Sequence, residues 1–170
     1  MIILYKNILI LEGGFNEEHE VSLASSKEIK KALNNLEIKY KSHLVDPSNF
    51  KEKIKEYNNI DVCFNALHGP YGEDGTIQKI LDENKLKYTH SGVEASKIAF
   101  DKNLTKLKIK KTNVKYIESI LIKKNEIKKK YFNEVFEQLG SFILKPRCSG
   151  SSFGVMIFKS QNEINYFFKN

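Results

Sequence analysis

The sequence has 170 residues, enough for one domain or two small ones, and its 41% hydrophobic and 29% charged residues are typical of a globular protein. Its net charge of +7 is nearly all lysine, with Arg147 the single arginine, and no aromatic-interleaved basic motif indicates nucleic-acid binding. No run approaches the roughly 20 apolar residues of a membrane helix, and Glu12 and two glycines follow the first apolar run too soon for a signal peptide, so the sequence predicts a cytoplasmic protein.

The two cysteines, Cys63 and Cys148, are too far apart to indicate a disulfide framework or a metal site. Cys63 lies in an apolar run and is predicted to be a small core residue. Cys148 lies in a polar loop, where the sequence leaves its reactivity open.

The first half of the chain alternates short apolar runs with amphipathic stretches. This β-α-β-α-β-α-β order predicts a parallel sheet with right-handed crossovers. Strands are predicted at 8–11, 38–44, 60–67 and 86–89, and helices at about 15–36, 48–57 (capped by Ser48) and 76–84. Gly13 and Gly14 follow the first strand directly, at the end of the sheet where open α/β folds bind ligands. They are no dinucleotide fingerprint, because the third glycine is missing.

A different pattern begins near residues 93–97, which predicts a boundary between domains 1–95 and 96–170. The second part is predicted to hold a helix at 94–109, a strand at 114–122, a helix at 126–139 stopped by Gly140, a β-hairpin at 142–158 and a helix opened by a Ser160–Glu163 capping box. We expect the last helix to be cut short by the end of the sequence.

The loop of the predicted hairpin, KPRCSGSSFG at 145–154, has the composition of a phosphate cradle. Gly150 and Gly154 permit positive φ, and the small serines allow backbone N–H groups to approach an anion. Lys145 is the first residue of the loop and would supply positive charge, whereas a P-loop carries its lysine at the end and leads into a helix. The alternative is an ordinary solvated hairpin loop, which the composition taken alone favours.

Four stretches stand out by their residue pattern: GGFNEEHEVSL at 13–23, ALHGPYGEDGTIQ at 66–78, FDKNLTK at 100–106 and FILKPRCSGSSFGV at 142–155. In identity and order they resemble the D-alanine–D-alanine ligases, a branch of the ATP-grasp enzymes. The resemblance covers essentially the whole chain, but only about the first half of such an enzyme. It implies an α/β fold, with a Rossmann-like parallel-sheet N-terminal domain followed by the first, incomplete part of an ATP-grasp domain.

The resemblance implies a substrate site around Glu18, His68 and Ser151. Glu18 matches the glutamate that faces the ammonium of the first D-alanine; the alternative is an acid of the first helical turn, favoured by the helix dipole alone. His68 matches a histidine near the substrate. Ser151 matches a serine that hydrogen-bonds to the glutamate, so Glu18 and Ser151 are the predicted catalytic pair. Glu20 and Ser22 are assigned to helix-start chemistry.

The resemblance also implies an ATP site. Lys102 and Lys145 match two lysines that neutralise nucleotide phosphates, and the backbone around Gly150, Ser151, Ser152 and Phe153 would hold the β- and γ-phosphates. Glu73 and Asp74 are predicted to form a turn and a helix cap rather than a metal site. No metal ligand is predicted in this chain, since the family draws its Mg²⁺ ligands from the second half.

The implied reaction is ATP-dependent formation of D-alanyl-D-alanine through an acyl phosphate, for peptidoglycan synthesis. Departures from the family pattern are Phe15, His19, Phe100 and Phe153, of which Phe15 and Phe153 would narrow the site. Because the second half is missing, we expect the isolated chain to be inactive. The alternatives are a non-catalytic remnant or binding module of the same fold, and another ATP-grasp carboxylate–amine ligase. The implied partners are D-alanine and ATP, without nucleic acid or membrane, and with a homodimer or a separately encoded second half left open.

Overall fold

A computed structural model describes residues 5–169 of the chain. The elements, in order, are β1 (Ile8–Gly13), α1 (His19–Asn35), β2 (Tyr40–Val45), α2 (Phe50–Lys53), β3 (Val62–Asn65), α3 (Thr76–Glu83), α4 (Val93–Phe100), α5 (Lys102–Ile109), α6 (Lys129–Leu139), β4 (Phe142–Leu144), β5 (Met156–Phe158) and α7 (Gln161–Phe167). Two short 3₁₀ turns lie at Ile54–Glu56 and Lys124–Glu126. None of the helices within residues 5–169 has the length and apolar character needed to cross a membrane.

The first half forms a parallel sheet, which confirms the predicted α/β class. Its strand order is β2-β1-β3, with β1 in the centre and every one of its residues buried. The predicted fourth strand is reduced to a single parallel bridge between Tyr88 and Cys63 beside β3. Backbone hydrogen bonds from Cys63 to Lys87 (2.7 Å) and from Thr89 to Cys63 (3.2 Å) hold this segment in place.

Both faces of the sheet are covered, as the continuous apolar sequence of β1 requires. Because side chains alternate along a strand, Leu9 and Leu11 pack on one face with α2 and α3, while Ile8 and Ile10 pack on the other beside α1. Cys63 belongs to the first of these layers and is fully buried, as predicted. The carboxyl ends of the strands are thereby fixed at one edge of the sheet.

A separate aromatic core forms in the second half of the chain. Phe132 of α6 is 1% exposed and lies at its centre, with Phe158 and Ile164 buried against it. The β4–β5 hairpin is antiparallel, with Phe142 opposite Phe158. The predicted capping box at the start of α7 is present: Ser160 Oγ accepts from the Glu163 amide, and the Glu163 carboxylate accepts from the Ser160 amide.

Three sequence predictions in this fold are wrong. The helix predicted at 94–109 is interrupted at Asp101, whose extended backbone ends α4 and whose side chain caps α5. The strand predicted at 114–122 is irregular, because no strand within residues 5–169 pairs with it, and Ile117 is 85% exposed. Ser48 caps no helix; instead its amide and hydroxyl donate to Asp46 in a turn that precedes α2.

Candidate functional site

The turn from β1 into α1 forms the first wall of the candidate site. Gly13 and Gly14 have φ values of 90° and 86°, a backbone conformation that residues with a Cβ atom rarely adopt. Ser22 Oγ accepts from the Gly13 amide and donates to the Ala66 carbonyl, both at 2.8 Å. Ser22 is therefore a buried link from α1 to the ends of β1 and β3, and its assignment to helix-start chemistry is wrong.

Glu18 occupies the N-cap position of α1, yet its carboxylate does not cap the helix. The residue is 3% exposed, and the hydroxyl of Ser151 donates a hydrogen bond to its Oε1. The loop 145–154 and α1 thus meet at this carboxylate. A carboxylate offers about four acceptor positions, so one hydroxyl leaves room for further donors such as an ammonium.

Two glycines make room for the Glu18 carboxylate. A Cβ atom on Gly69 would collide with Glu18 Oε2, and Gly69 has a φ of 71°. A Cβ atom on Gly150 would lie 3.2 Å from both carboxylate oxygens. Gly69 of the HGPYG segment and Gly150 of the loop therefore pack against the Glu18 carboxylate from two sides.

His68 lies beside this contact, directly before Gly69. Its Nε2 is 2.9 Å from the Ser25 hydroxyl of α1, and its carbonyl accepts a 2.9 Å hydrogen bond from Asn16 Nδ2. Asn16 also accepts from the Glu18 amide through its Oδ1 at 2.8 Å. Asn16, which the sequence did not single out, thereby fixes the HGPYG segment against the start of α1.

The GEDG segment forms a turn, as predicted. Glu73 accepts from the Gly69 amide, and Asp74 accepts from the amides of Tyr71 and Thr76, each at 2.9 Å. Since these carboxylates are engaged by backbone N–H groups, they shape the segment that positions His68 and Gly69. Within residues 5–169 no group of three or more His, Cys, Asp or Glu side chains is placed to hold a metal ion.

The backbone of the loop 145–154 differs from the prediction in which residues have positive φ. Positive φ occurs at Gly154 (66°), as predicted, but Ser151 (45°) and Ser152 (62°) adopt it in place of Gly150. Gly150 is instead required for space beside Glu18. The Phe153 amide donates to the Gly150 carbonyl at 3.0 Å, so this amide is engaged within the loop. The side chains of Ser152 and Phe153 are exposed.

The two predicted phosphate lysines differ in their surroundings. Lys102, the first residue of α5, donates from Nζ to the Ser149 carbonyl of the loop at 2.5 Å. Lys145 is exposed at the beginning of the loop. Both lysines therefore border the loop, one held against it and one open to solvent.

Sequence reasoning missed two ion pairs that flank this site. Asp101 and Arg147 join the start of α5 to the loop, with Arg147 Nη2 2.5 Å from Asp101 Oδ2. Glu12, at the end of β1, is 8% exposed and binds Lys30 Nζ at 2.7 Å and the Ser26 hydroxyl. The first pair had no local signal, because Asp101 lay inside the helix predicted at 94–109. A charge inside an apolar strand was the signal for the second pair.

Burial and hydrogen bonding shift several pKa values around the site. Burial alone would raise the pKa of Glu12, but hydrogen bonds from Lys30 and Ser26 outweigh it and leave the pKa below its ordinary value. Burial raises the pKa of Tyr71 to about 12, so its phenol is neutral at physiological pH. Burial, followed by the charge of Asp101, raises the pKa of the exposed Cys148 thiol, which favours the unreactive protonated form.

Comparison with known proteins identifies similar sequences and folds. A family model described as the D-ala D-ala ligase N-terminus matches residues 39–91. The D-alanine–D-alanine ligase of Wolbachia sp. subsp. Drosophila simulans is 40% identical over 163 residues, which are 95% of this chain and 49% of that protein. The crystal structure of D-alanine–D-alanine ligase from Bacillus anthracis has a TM-score of 0.78 at 29% identity, covering 96% of this chain and 52% of that one.

A second crystal structure of the Bacillus anthracis ligase, complexed with ATP, has a TM-score of 0.75 at 27% identity and covers 96% of this chain and 54% of that one. The shared sheet and the shared sequence make the chain similar to one class of ligases. It matches the amino-terminal part of the D-alanine–D-alanine ligase family. The chain spans about half the length of the curated relatives it matches.

Proposed function

We propose that this chain supplies the D-alanine-binding wall and part of the nucleotide-binding wall of a D-alanine–D-alanine ligase. In the proposed reaction, ATP phosphorylates the carboxylate of one D-alanine, and the amine of a second attacks the acyl phosphate and releases phosphate. The observation that carries the proposal is the buried Glu18 carboxylate, enclosed by Gly69, Gly150 and Ser151 from segments far apart in the sequence.

The role of Glu18 follows from the cost of burying a charge. An ionised carboxylate away from water requires hydrogen-bond donors or a positive charge, and among residues 5–169 the hydroxyl of Ser151 is the donor that contacts its side chain. The ammonium of D-alanine would supply both the charge and three donors. Glu18 would therefore hold and orient the amino acid, while Ser151 fixes the carboxylate and closes the loop over it. His68 would stand near the substrate.

Positive charge and backbone amides support the nucleotide part of the proposal. Lys102 and Lys145 border the loop, and the segment Gly150–Phe153 turns through two residues of positive φ. Such turns present successive N–H groups to an anion. We propose that these lysines and the amides of Gly150, Ser151 and Ser152 hold the β- and γ-phosphates. The side chains of Ser152 and Phe153 would lie at the outer edge, and the Phe153 amide closes the turn by donating to the Gly150 carbonyl.

The described residues do not fit a magnesium site. Glu73 and Asp74, the carboxylates nearest in sequence to His68, accept hydrogen bonds from backbone amides, and no acidic cluster occurs within residues 5–169. Mg²⁺ takes oxygen ligands in octahedral geometry and relies on carboxylates for charge. We therefore assign no step of the reaction to a metal held by this part of the chain.

Titration calorimetry of the purified chain with D-alanine, L-alanine and a non-hydrolysable ATP analogue tests the proposal. We expect heat from D-alanine and a weaker response to L-alanine. Glu18→Gln should weaken D-alanine binding by about tenfold or more, as loss of one charge-assisted hydrogen bond does. Glu17→Gln is the matched control, because Glu17 is the adjacent, exposed residue.

Equal binding of the two enantiomers, or a Glu18→Gln variant that binds D-alanine as the wild type does, would overturn the amino-acid part of the proposal. Binding of D-alanine without release of phosphate from ATP would favour a binding module over a self-sufficient enzyme. Mixing the chain with the second half of a relative then tests whether dipeptide formation is restored.

A further inference from the structure

We propose that Asp101 and Arg147 form a pin that positions the loop 145–154 and Lys102 for nucleotide binding. This inference deepens the proposed function and rests on it for the identity of the ligand. Arg147 acts in this proposal through the loop, without touching the nucleotide.

The ion pair is a two-point contact. Arg147 Nε donates to Asp101 Oδ2 at 2.6 Å, and Arg147 Nη2 lies 2.5 Å from the same oxygen. The Asp101 side chain is 9% exposed and that of Arg147 is 49% exposed. A planar guanidinium held at two nitrogens has a fixed orientation, which the single ammonium of a lysine would not provide.

Asp101 is itself rigidly placed. Its other oxygen, Oδ1, accepts from the amides of Asn103 at 2.9 Å and Leu104 at 3.1 Å, which caps α5. The hydrogen bond and charge of Arg147 lower the pKa of Asp101 to about 2, so the carboxylate stays ionised at physiological pH. The pin therefore connects the loop to the first turn of a helix and not to a flexible side chain.

Backbone contacts extend the pin in both directions. The Lys102 amide donates to the Arg147 carbonyl at 3.1 Å, and Asp101 and Cys148 form an antiparallel bridge. Lys102 Nζ then reaches the Ser149 carbonyl, two residues further along the loop. Breaking the ion pair would release the segment that fixes the position of the Lys102 ammonium.

The pin also determines where the far end of the loop lies. Only two residues, Cys148 and Ser149, separate Arg147 from Gly150. Gly150 packs on Glu18, and the next residue, Ser151, binds the Glu18 carboxylate. The loop is thus held at two points, by α5 on one side and by α1 on the other. Its amides between these points keep a fixed direction, as pre-organised anion binding requires.

The competing explanation is that Arg147 binds phosphate directly, as arginines often do. In the structure its Nε and Nη2 are already engaged by Asp101, which argues for the positioning role. The two explanations differ in what happens to the loop when no nucleotide is present. Direct binding predicts an unchanged loop, and the pin predicts a loosened one.

Hydrogen–deuterium exchange of the full chain, without nucleotide, is the primary test. Arg147→Ala should raise amide exchange in residues 148–154 and at Lys102 by about tenfold or more, since exchange follows local opening. Asp101→Asn should do the same, because asparagine still caps α5 but carries no charge. Lys97→Ala is the matched control: it removes the exposed 3.1 Å pair with Glu94 on α4 and should leave the loop unchanged.

Calorimetry with the non-hydrolysable ATP analogue is the second readout. Arg147→Ala should weaken binding by about tenfold, and Arg147→Lys should recover part of both the affinity and the exchange protection. If amide exchange in the loop is unchanged in Arg147→Ala, the pin is overturned. This holds even if the affinity for the ATP analogue falls, because a direct contact between Arg147 and phosphate would then explain the lower affinity. Absence of nucleotide binding by the wild type contradicts the proposed function instead, and the exchange experiment still decides whether the pin exists.

Discussion

The hydroxyl of Ser151 donates a hydrogen bond to the carboxylate of Glu18, a residue 133 positions earlier in the chain. The contact joins the loop between β4 and β5 to the N-cap residue of α1. Residues from the sheet half and from the aromatic-core half therefore meet at one buried charge. The contribution of this hydrogen bond to the stability of the chain can be measured without any ligand.

Ser151→Ala removes the hydroxyl and leaves the buried Glu18 carboxylate without that donor. We expect a loss of about 1–3 kcal/mol in the free energy of unfolding, the usual cost of leaving a buried acceptor unsatisfied. Urea denaturation followed by circular dichroism measures it. Ser152→Ala is a close control, because Ser152 is the neighbouring exposed serine and also has positive φ, whereas the hydrogen bond to Glu18 comes from Ser151. Equal losses in the two variants would contradict a specific role for the Glu18 contact.

Lys30→Met should destabilise the chain by about 3 kcal/mol, because it leaves the carboxylate of Glu12 buried without its cation. Lys31→Met, one position along the same helix, should change stability by less than about 0.5 kcal/mol. Lys31 is 71% exposed and its pair with Glu28 is 4.0 Å long. Chemical denaturation of both variants provides the comparison, and similar effects would show that the Glu12 pair is unimportant.

Acid should weaken the contribution of the Asp101–Arg147 pair. The ordinary pKa of an aspartate is 3.8. In the folded chain the pKa of Asp101 is lowered to about 2, mainly by the hydrogen bond from Arg147. Since the folded-state pKa is the lower one, ionised Asp101 stabilises the fold above pH 3.8, and this stabilisation disappears as the pH falls through 2. The difference in stability between wild type and Arg147→Met should be constant from about pH 5 to 8 and shrink below about pH 4. A constant difference down to pH 2 would be inconsistent with this pair.

Phe132→Ala should cost about 3–5 kcal/mol in the aromatic core, where Phe132 contacts Phe142, Phe158, Phe167 and Phe168. The predicted division into 1–95 and 96–170 implies that this loss affects the second part more than the sheet. Exchange protection of β1 should therefore persist in conditions where α6 and α7 have opened. Phe15→Ala, at a residue 72% exposed, is the control. Simultaneous loss of protection in both parts would argue against two domains.

The sheet could be predicted because its signals are local and mutually consistent. Each apolar run is followed by a glycine or turn and then by an amphipathic stretch, and β1 is buried on both faces as its sequence requires. The capping box at Ser160 and the turn at Glu73 and Asp74 depend on residues three or four apart. The segment 114–122 shows the limit: its residues favour a strand, but a strand also needs a partner to pair with.

The site was only partly accessible to sequence reasoning. The resemblance indicated that Glu18 and Ser151 belong together, but not that the carboxylate would be buried or that Gly69 and Gly150 would make the space. Asp101 was missed because nothing local in a helical pattern shows that a carboxylate will accept an arginine 46 residues later. Contacts of this kind depend on the tertiary fold, which the periodicity of a sequence does not contain.

The two cysteines differ in their accessibility to thiol-reactive reagents. Cys63 is fully buried and burial raises its pKa to about 12, whereas Cys148 is exposed in the middle of the loop. Because the pKa of the Cys148 thiol is also raised, labelling at neutral pH will be slow. At alkaline pH, where the thiolate forms, a maleimide dye will attach to the exposed Cys148 in preference to the buried Cys63. The unmodified protein thus carries its own attachment point for a fluorescent reporter of loop movement, and no cysteine has to be introduced or removed.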